Sequence, residues 1–169
     1  MAKTAILLDI DFEDSEFRKP YDALKDAGHD VLVIGREKGA RVDGKKGTES
    51  YTIEAGPDAA NAADFDAVVV PGGYAPDKLR TDADLVGFVR DMAAAGKPVA
   101  AICHAGWVLA EADVVRGRQV TSVRNIRTDL VNAGADWVDE EVVEDGPLIT
   151  SRTPADLPAF NDAILKRLG

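Results

Sequence analysis

The chain has 169 residues, 46% of them hydrophobic and 30% charged, the profile of a globular chain with one core rather than of a disordered one. Its 30 Asp and Glu against 20 Lys and Arg leave a net charge of -10, which argues against wrapping a nucleic-acid backbone. No run approaches the ~20 apolar residues of a membrane span, and one Cys with two His can form neither an internal disulfide nor a closed structural zinc site, so no metal or cofactor is expected.

The start carries one Lys and a short apolar run ending at Asp9, unlike a leader, so a cytoplasmic protein is expected. Thr4–Leu8 reads as a buried strand, followed by the acidic loop Asp9–Ser15. A helix runs to about Ala27, with Phe17, Tyr21 and Leu24 at helical spacing and Gly28 as its stop. Val31–Ile34 is a second strand, and the polar, Gly-rich stretch from Gly39 to about Ile53 suits a small hairpin. Ala67–Val70 is a third strand, ending in Pro71-Gly72-Gly73.

Thr81-Asp82-Ala83-Asp84 resembles a capping box, and Leu85, Phe88, Val89 and Met92 then form one helical stripe that Gly96 ends. Pro98–Ile102 is a fourth strand, passing straight into a helix over Ala105–Leu109. Gln119–Ser122 suits a strand and Ile126–Asn132 a short helix. Glu141–Glu144 and Leu148–Ser151 flank Asp145-Gly146, a hairpin signal. The last helix starts at Thr153-Pro154 and buries Leu157, Phe160, Ile164 and Leu168. Strands alternating with helices predict an α/β fold in one domain over residues 1–169, with a mostly parallel sheet covered on both faces. Ligands sit beyond the carboxyl ends of such strands, where the loops Asp9–Ser15, Pro71–Asp77 and Cys103–Gly106 converge.

Cys103 stands where a buried strand meets a helix with no intervening loop, as in a nucleophile elbow. A helix N-terminus there favours a thiolate. A lone Cys in a strand is commonly an inert core residue; the turn, the adjacent His104 and the converging loops favour function instead. Direct neighbours rarely pair in catalysis, so the ring of His104 is expected to point away from Cys103, with its backbone N–H mattering as much. His29 reads as a polar or capping residue. Glu13 is a candidate to donate a hydrogen bond to the sulfur when protonated, although Asp9, Asp11, Asp14 and Glu16 lie close by and the residues alone do not choose among them. Pro71-Gly72-Gly73 offers a backbone N–H which, with that of His104, would make an oxyanion hole, although Pro-Gly-Gly is also a common turn.

Taken together, Asp11-Phe12-Glu13-Asp14-Ser15-Glu16, Val70-Pro71-Gly72-Gly73, Gly96-Lys97-Pro98-Val99-Ala100-Ala101-Ile102-Cys103-His104, Asn132-Ala133-Gly134-Ala135-Asp136-Trp137 and Ser151-Arg152-Thr153-Pro154 resemble the PfpI-type intracellular cysteine proteases. These belong to the superfamily of the Parkinson's-disease-associated deglycase and class I glutamine amidotransferase domains. The resemblance implies a flavodoxin-like three-layer sandwich with Cys103 as nucleophile. It implies Glu13 as the carboxyl on the sulfur, Gly73 and His104 as oxyanion donors, and His104 as base. The acidic partner of that base comes from a neighbouring subunit, at a position matched here by Asp77, one methylene shorter than the family's Glu. A homo-oligomer, dimer or hexamer, with the site near an interface is implied.

Gly72, Trp107, Val123 and Arg124 would shape the pocket, with Val123 replacing the aromatic of close relatives. The expected function is that of a stress-protective enzyme acting on reactive carbonyls such as methylglyoxal or its adducts through a Cys103 thiolate. The alternatives are an intracellular peptidase and a non-enzymatic redox-sensing stress protein or chaperone that uses Cys103 oxidation.

Overall fold

The computed structural model describes all 169 residues. Six strands form the central sheet: β1 (Lys3–Leu7), β2 (Asp30–Ile34), β5 (Ala67–Val70), β6 (Val99–Ile102), β9 (Val143–Asp145) and β10 (Leu148–Ser151). Their order is β2-β1-β5-β6-β10-β9; all neighbours are parallel except β9, which runs antiparallel along the edge. This is the predicted parallel sheet, with the hairpin at Asp145-Gly146 supplying the antiparallel edge.

Side chains of a strand alternate between faces, so β1 sends Ala5 and Leu7 into one core and Ile6, with Leu8 just beyond the strand, into the other. On the first face the core takes up Leu85, Phe88, Val89 and Met92 of helix α3 (Ala83–Ala94), with Val108 and Leu109 of α4 (Gly106–Glu111) and Leu130 of α5 (Arg127–Asn132). On the other lie Phe17 and Leu24 of α1 (Asp14–Asp26) with Leu157, Phe160 and Ile164 of α6 (Leu157–Leu168). The result is three layers. No helix is long and apolar enough to cross a membrane.

The expected hairpin between Gly39 and Ile53 is present, and other local details depart from the sequence reading. The excursion after β2 is the hairpin of β3 (Arg41–Asp43) and β4 (Ser50–Thr52), off the main sheet. Pro71–Asp77 is loop only in part, because Ala75–Leu79 forms α2. The strand at Gln119 is only β7 (Gln119–Val120), paired in a separate ribbon with β8 (Asp136–Trp137). The N-cap of α3 is Asp82, not Thr81: its carboxylate accepts from the N–H groups of Asp84 and Leu85, both at 3.0 Å. Thr153 makes no side-chain cap; the Asp156 carboxylate instead holds the Arg152 N–H and guanidinium. His29 is buried, and its Nδ1 accepts the Ala2 N–H at 3.0 Å, tying the chain start to the turn before β2.

Candidate active site

β6 runs through the middle of the sheet between β5 and β10, so its end opens at the centre of the carboxyl edge. Cys103 follows with φ +63°, a left-handed conformation that a side chain with a Cβ seldom adopts. A single 3₁₀ turn (Cys103–Ala105) leads into α4. That twist changes where His104 goes. Its Nδ1 lies 3.4 Å from the Cys103 sulfur, so the ring turns toward the cysteine and not away from it. The ring also rests against Trp107, with centroids 5.1 Å apart. Burial, then the nearby Lys45 charge, push the His104 pKa down, so the ring is neutral and able to accept a proton.

The carboxyl beside the sulfur belongs to Glu16. It is fully buried; its Oε1 accepts the Gly72 N–H at 2.9 Å and its Oε2 has no partner. Gly72 has to be glycine, because a Cβ there would stand 2.5 Å from Glu16 Oε1 and 2.8 Å from the Cys103 Cβ. Burial, followed by repulsion from Glu13, pushes the Glu16 carboxyl up to about 8.

Glu13 does not occupy that place. It is the residue just before α1, and its two oxygens are taken by Lys45 and Lys46, each at 2.9 Å. Burial raises its pKa, but these two lysines together outweigh burial and hold it below the usual range. The signal that separates the two acids is helical phase. Glu16, Pro20 and Leu24 recur at i, i+4 and i+8 on the buried side of α1, whereas Glu13 precedes the helix.

The thiol is not ionised by the turn alone. Burial, then the charge of Glu16, push Cys103 up to about 12, while the N–H groups of His104 and Gly73 and the Lys45 charge pull the other way. The sulfur-bearing residue is only 9% exposed, so loss of solvation outweighs a helix of six residues. Glu16 repels the sulfur only when charged, and its burial keeps it protonated. The Glu16 carboxyl thus opposes a thiolate only once it has lost its proton. Gly73, at φ +82°, turns its N–H to the sulfur beside that of His104, the two donors expected for an oxyanion hole.

The remaining expected residues are more dispersed. Val123 reaches the site through its backbone, its N–H 3.4 Å from the Cys103 carbonyl oxygen. Arg124 is exposed, paired with Asp139 at 3.4 Å and lying over the Trp137 ring. Trp107 donates to Asp129 at 2.8 Å and carries Arg80 on its ring. Asp77 is exposed in the first turn of α2, and no carboxylate of the same chain hydrogen-bonds the His104 ring.

Known proteins are similar to this chain in sequence and in fold. The chain is 51% identical over 168 residues to protein/nucleic acid deglycase 2 of Escherichia coli, covering 99% of this chain and 98% of that one. It is 49% identical over 160 residues to general stress protein 18 of Bacillus subtilis, covering 94% and 93%. A crystal structure of an Anabaena variabilis protein with DJ-1/ThiJ/PfpI-like and ferritin-like domains superposes with a TM-score of 0.98 at 47% identity; it covers all of this chain, which spans only 48% of that one. The DJ-1/PfpI family profile matches residues 2–167. With its left-handed Cys103 flanked by Glu16, His104 and Gly73, this chain belongs to the DJ-1/PfpI family and is an enzyme of it.

Proposed function

We propose that the enzyme acts on small reactive carbonyls, methylglyoxal or its adducts, through addition of Cys103. The observation that carries this reading is the sulfur's surroundings: two backbone N–H groups aimed at it, a neutral His104 nitrogen 3.4 Å away, and the unpartnered Glu16 Oε2. His104 takes the thiol proton as sulfur attacks the aldehyde carbon. The C–S bond forms, and the carbonyl π pair moves to oxygen, where the Gly73 and His104 N–H groups receive it. Return of the proton to that oxygen gives a thiohemiacetal. The proton on that carbon leaves and the neighbouring carbonyl oxygen is protonated, giving an enediol; a proton then adds to the neighbouring carbon as the first hydroxyl loses its own, giving a lactoyl thioester, and water releases lactate and the thiol. Glu16 or His104 would carry these protons.

The 9% exposure of Cys103 suits a small aldehyde better than an extended peptide. The test is conversion of methylglyoxal to lactate by purified protein without added thiol. Turnover by the wild type and none by Cys103→Ser is expected; equal rates would overturn the proposal.

The second reading, oxidation of Cys103 by peroxide, is favoured by one feature. A protonated Glu16 Oε2 can donate to an oxidised sulfur oxygen. It predicts a stable sulfinate in the absence of carbonyl turnover. Lacking an acid within its own chain, His104 would be oriented across a subunit contact by Asp77, so the working form proposed is a homo-oligomer.

A further inference from the structure

The cation-bearing turn near the cysteine biases the titration of Cys103 and His104 but carries no step of the chemistry above. The hairpin turn Gly44–Glu49 is anchored to the start of α1, where the Asp14 carboxylate accepts from the N–H groups of Lys46, Thr48 and Glu49 and from the Thr48 hydroxyl at 2.8–3.0 Å. The Lys45 N–H donates to the Phe12 carbonyl at 2.9 Å, and Phe12 also bridges to Gly73. One short segment of backbone thus holds both Lys45 and the N–H that faces the sulfur.

The Lys45 ammonium has one partner atom, Glu13 Oε2, and sits 5.4 Å from the centroid of the exposed Tyr74 ring. The other Glu13 oxygen is taken by Lys46. An ammonium has three donors, so Lys45 keeps N–H groups for a ligand, and its side chain is 31% exposed. In a protein of net charge -10, a cation anchored through Phe12 to the segment that carries Gly73, close enough for its charge to act on Cys103, marks out the kind of molecule that reaches the sulfur.

We propose that Lys45 is a specificity-determining residue that makes Cys103 select small electrophiles bearing a carboxylate within a few bonds of the reacting carbon, over neutral ones of the same size. The turnover part of this inference rests on the carbonyl chemistry proposed above; the charge selectivity does not.

Alkylation separates the two. Iodoacetate and iodoacetamide are close in size and react with the same thiolate, so the ratio of their rates at Cys103 cancels the thiolate fraction and reads only the charge near the sulfur. That ratio is expected to exceed the ratio for 2-mercaptoethanol by about fivefold, the scale of one charge acting across a partly solvated gap. It should fall to the small-thiol value in Lys45→Gln, be restored in Lys45→Arg, and shrink in molar salt. A wild-type ratio equal to that of 2-mercaptoethanol, or one unchanged by Lys45→Gln, overturns the inference. Should Lys45→Gln fold poorly, the salt dependence of the wild-type ratio decides: a salt-independent ratio overturns it. 4,5-Dioxopentanoate, an α-ketoaldehyde that carries a carboxylate, should likewise be favoured over its methyl ester in kcat/KM by a margin that Lys45→Gln removes. Absence of any carbonyl turnover would defeat the proposed function and leave the alkylation ratio to judge Lys45.

Discussion

Glu16 is the buried carboxyl whose charge acts directly on Cys103. Protonated, its unpartnered Oε2 side would offer a donor to steady a sulfur anion in so buried a place. Glu16→Gln keeps a donor and Glu16→Leu removes it. The thiol pKa, followed by ultraviolet thiolate absorbance, should therefore be at least one unit higher in Glu16→Leu than in Glu16→Gln. Equal values would show that the side chain does not touch the sulfur's charge. The same residue carries a stability signature. Its folded pKa of about 8 lies above the ordinary 4.5, so the folded protein binds a proton that the unfolded chain releases, and stability falls as pH rises between those values. Glu16→Gln escapes this penalty. Its advantage in unfolding free energy over the wild type should be small below pH 4.5 and grow to on the order of a few kcal/mol by pH 8. An advantage that does not change with pH would contradict the burial argument.

At the scale of elements, the docking of the β3–β4 hairpin on α1 rests on one carboxylate. Asp14 is buried and accepts four hydrogen bonds from the hairpin turn. Burial raises its pKa, yet the N–H and hydroxyl donors together hold it below the usual range. Its contribution is thus present above the ordinary Asp value of 3.8 and is lost as pH falls through the depressed folded value. Asp14→Ala strands these donors and should destabilise the protein by about 2–3 kcal/mol. Amide exchange should accelerate first at Lys46, Thr48 and Glu49, with Lys45 displaced from the site. Unaltered exchange at those amides would show that β3–β4 is held by other contacts, such as the Tyr51–Tyr21 pair.

For the whole molecule, the open question is the carboxylate for His104. The ring has the sulfur and Trp107 as neighbours but no acid of its own chain, while Asp77 is exposed in α2. A homo-oligomer is expected by sedimentation. Asp77→Ala should lower methylglyoxal turnover about two- to fivefold, a modest loss if the short Asp reaches the ring only through a bridging water. If Asp77 acts across an interface, mixing Cys103→Ser protomers with Asp77→Ala protomers should raise the rate per intact cysteine above that of Asp77→Ala alone. A monomer with full turnover would remove Asp77 from the mechanism.

Much of this was legible in the chain itself. Short apolar runs at Ala67–Val70 and Val99–Ile102, separated by the α3 stripe, dictate a parallel sheet, because a strand buried on both faces needs apolar residues at every position. The strand-to-helix junction at Cys103 dictates a sharp elbow, since no residues remain to make a loop. What tertiary structure decided was direction and neighbourhood. Sequence order placed His104 beside Cys103 but not its ring, whose direction follows from the +63° φ of Cys103. Motif resemblance put Glu13 on the sulfur, whereas the winding of α1 turned Glu16 inward, and a hairpin some 30 residues later brought two lysines to claim Glu13. The thiol's reluctance to ionise was equally invisible in the chain. It arises from burial on all sides by segments distant in sequence, and that desolvation outweighs the short helix beginning at Gly106.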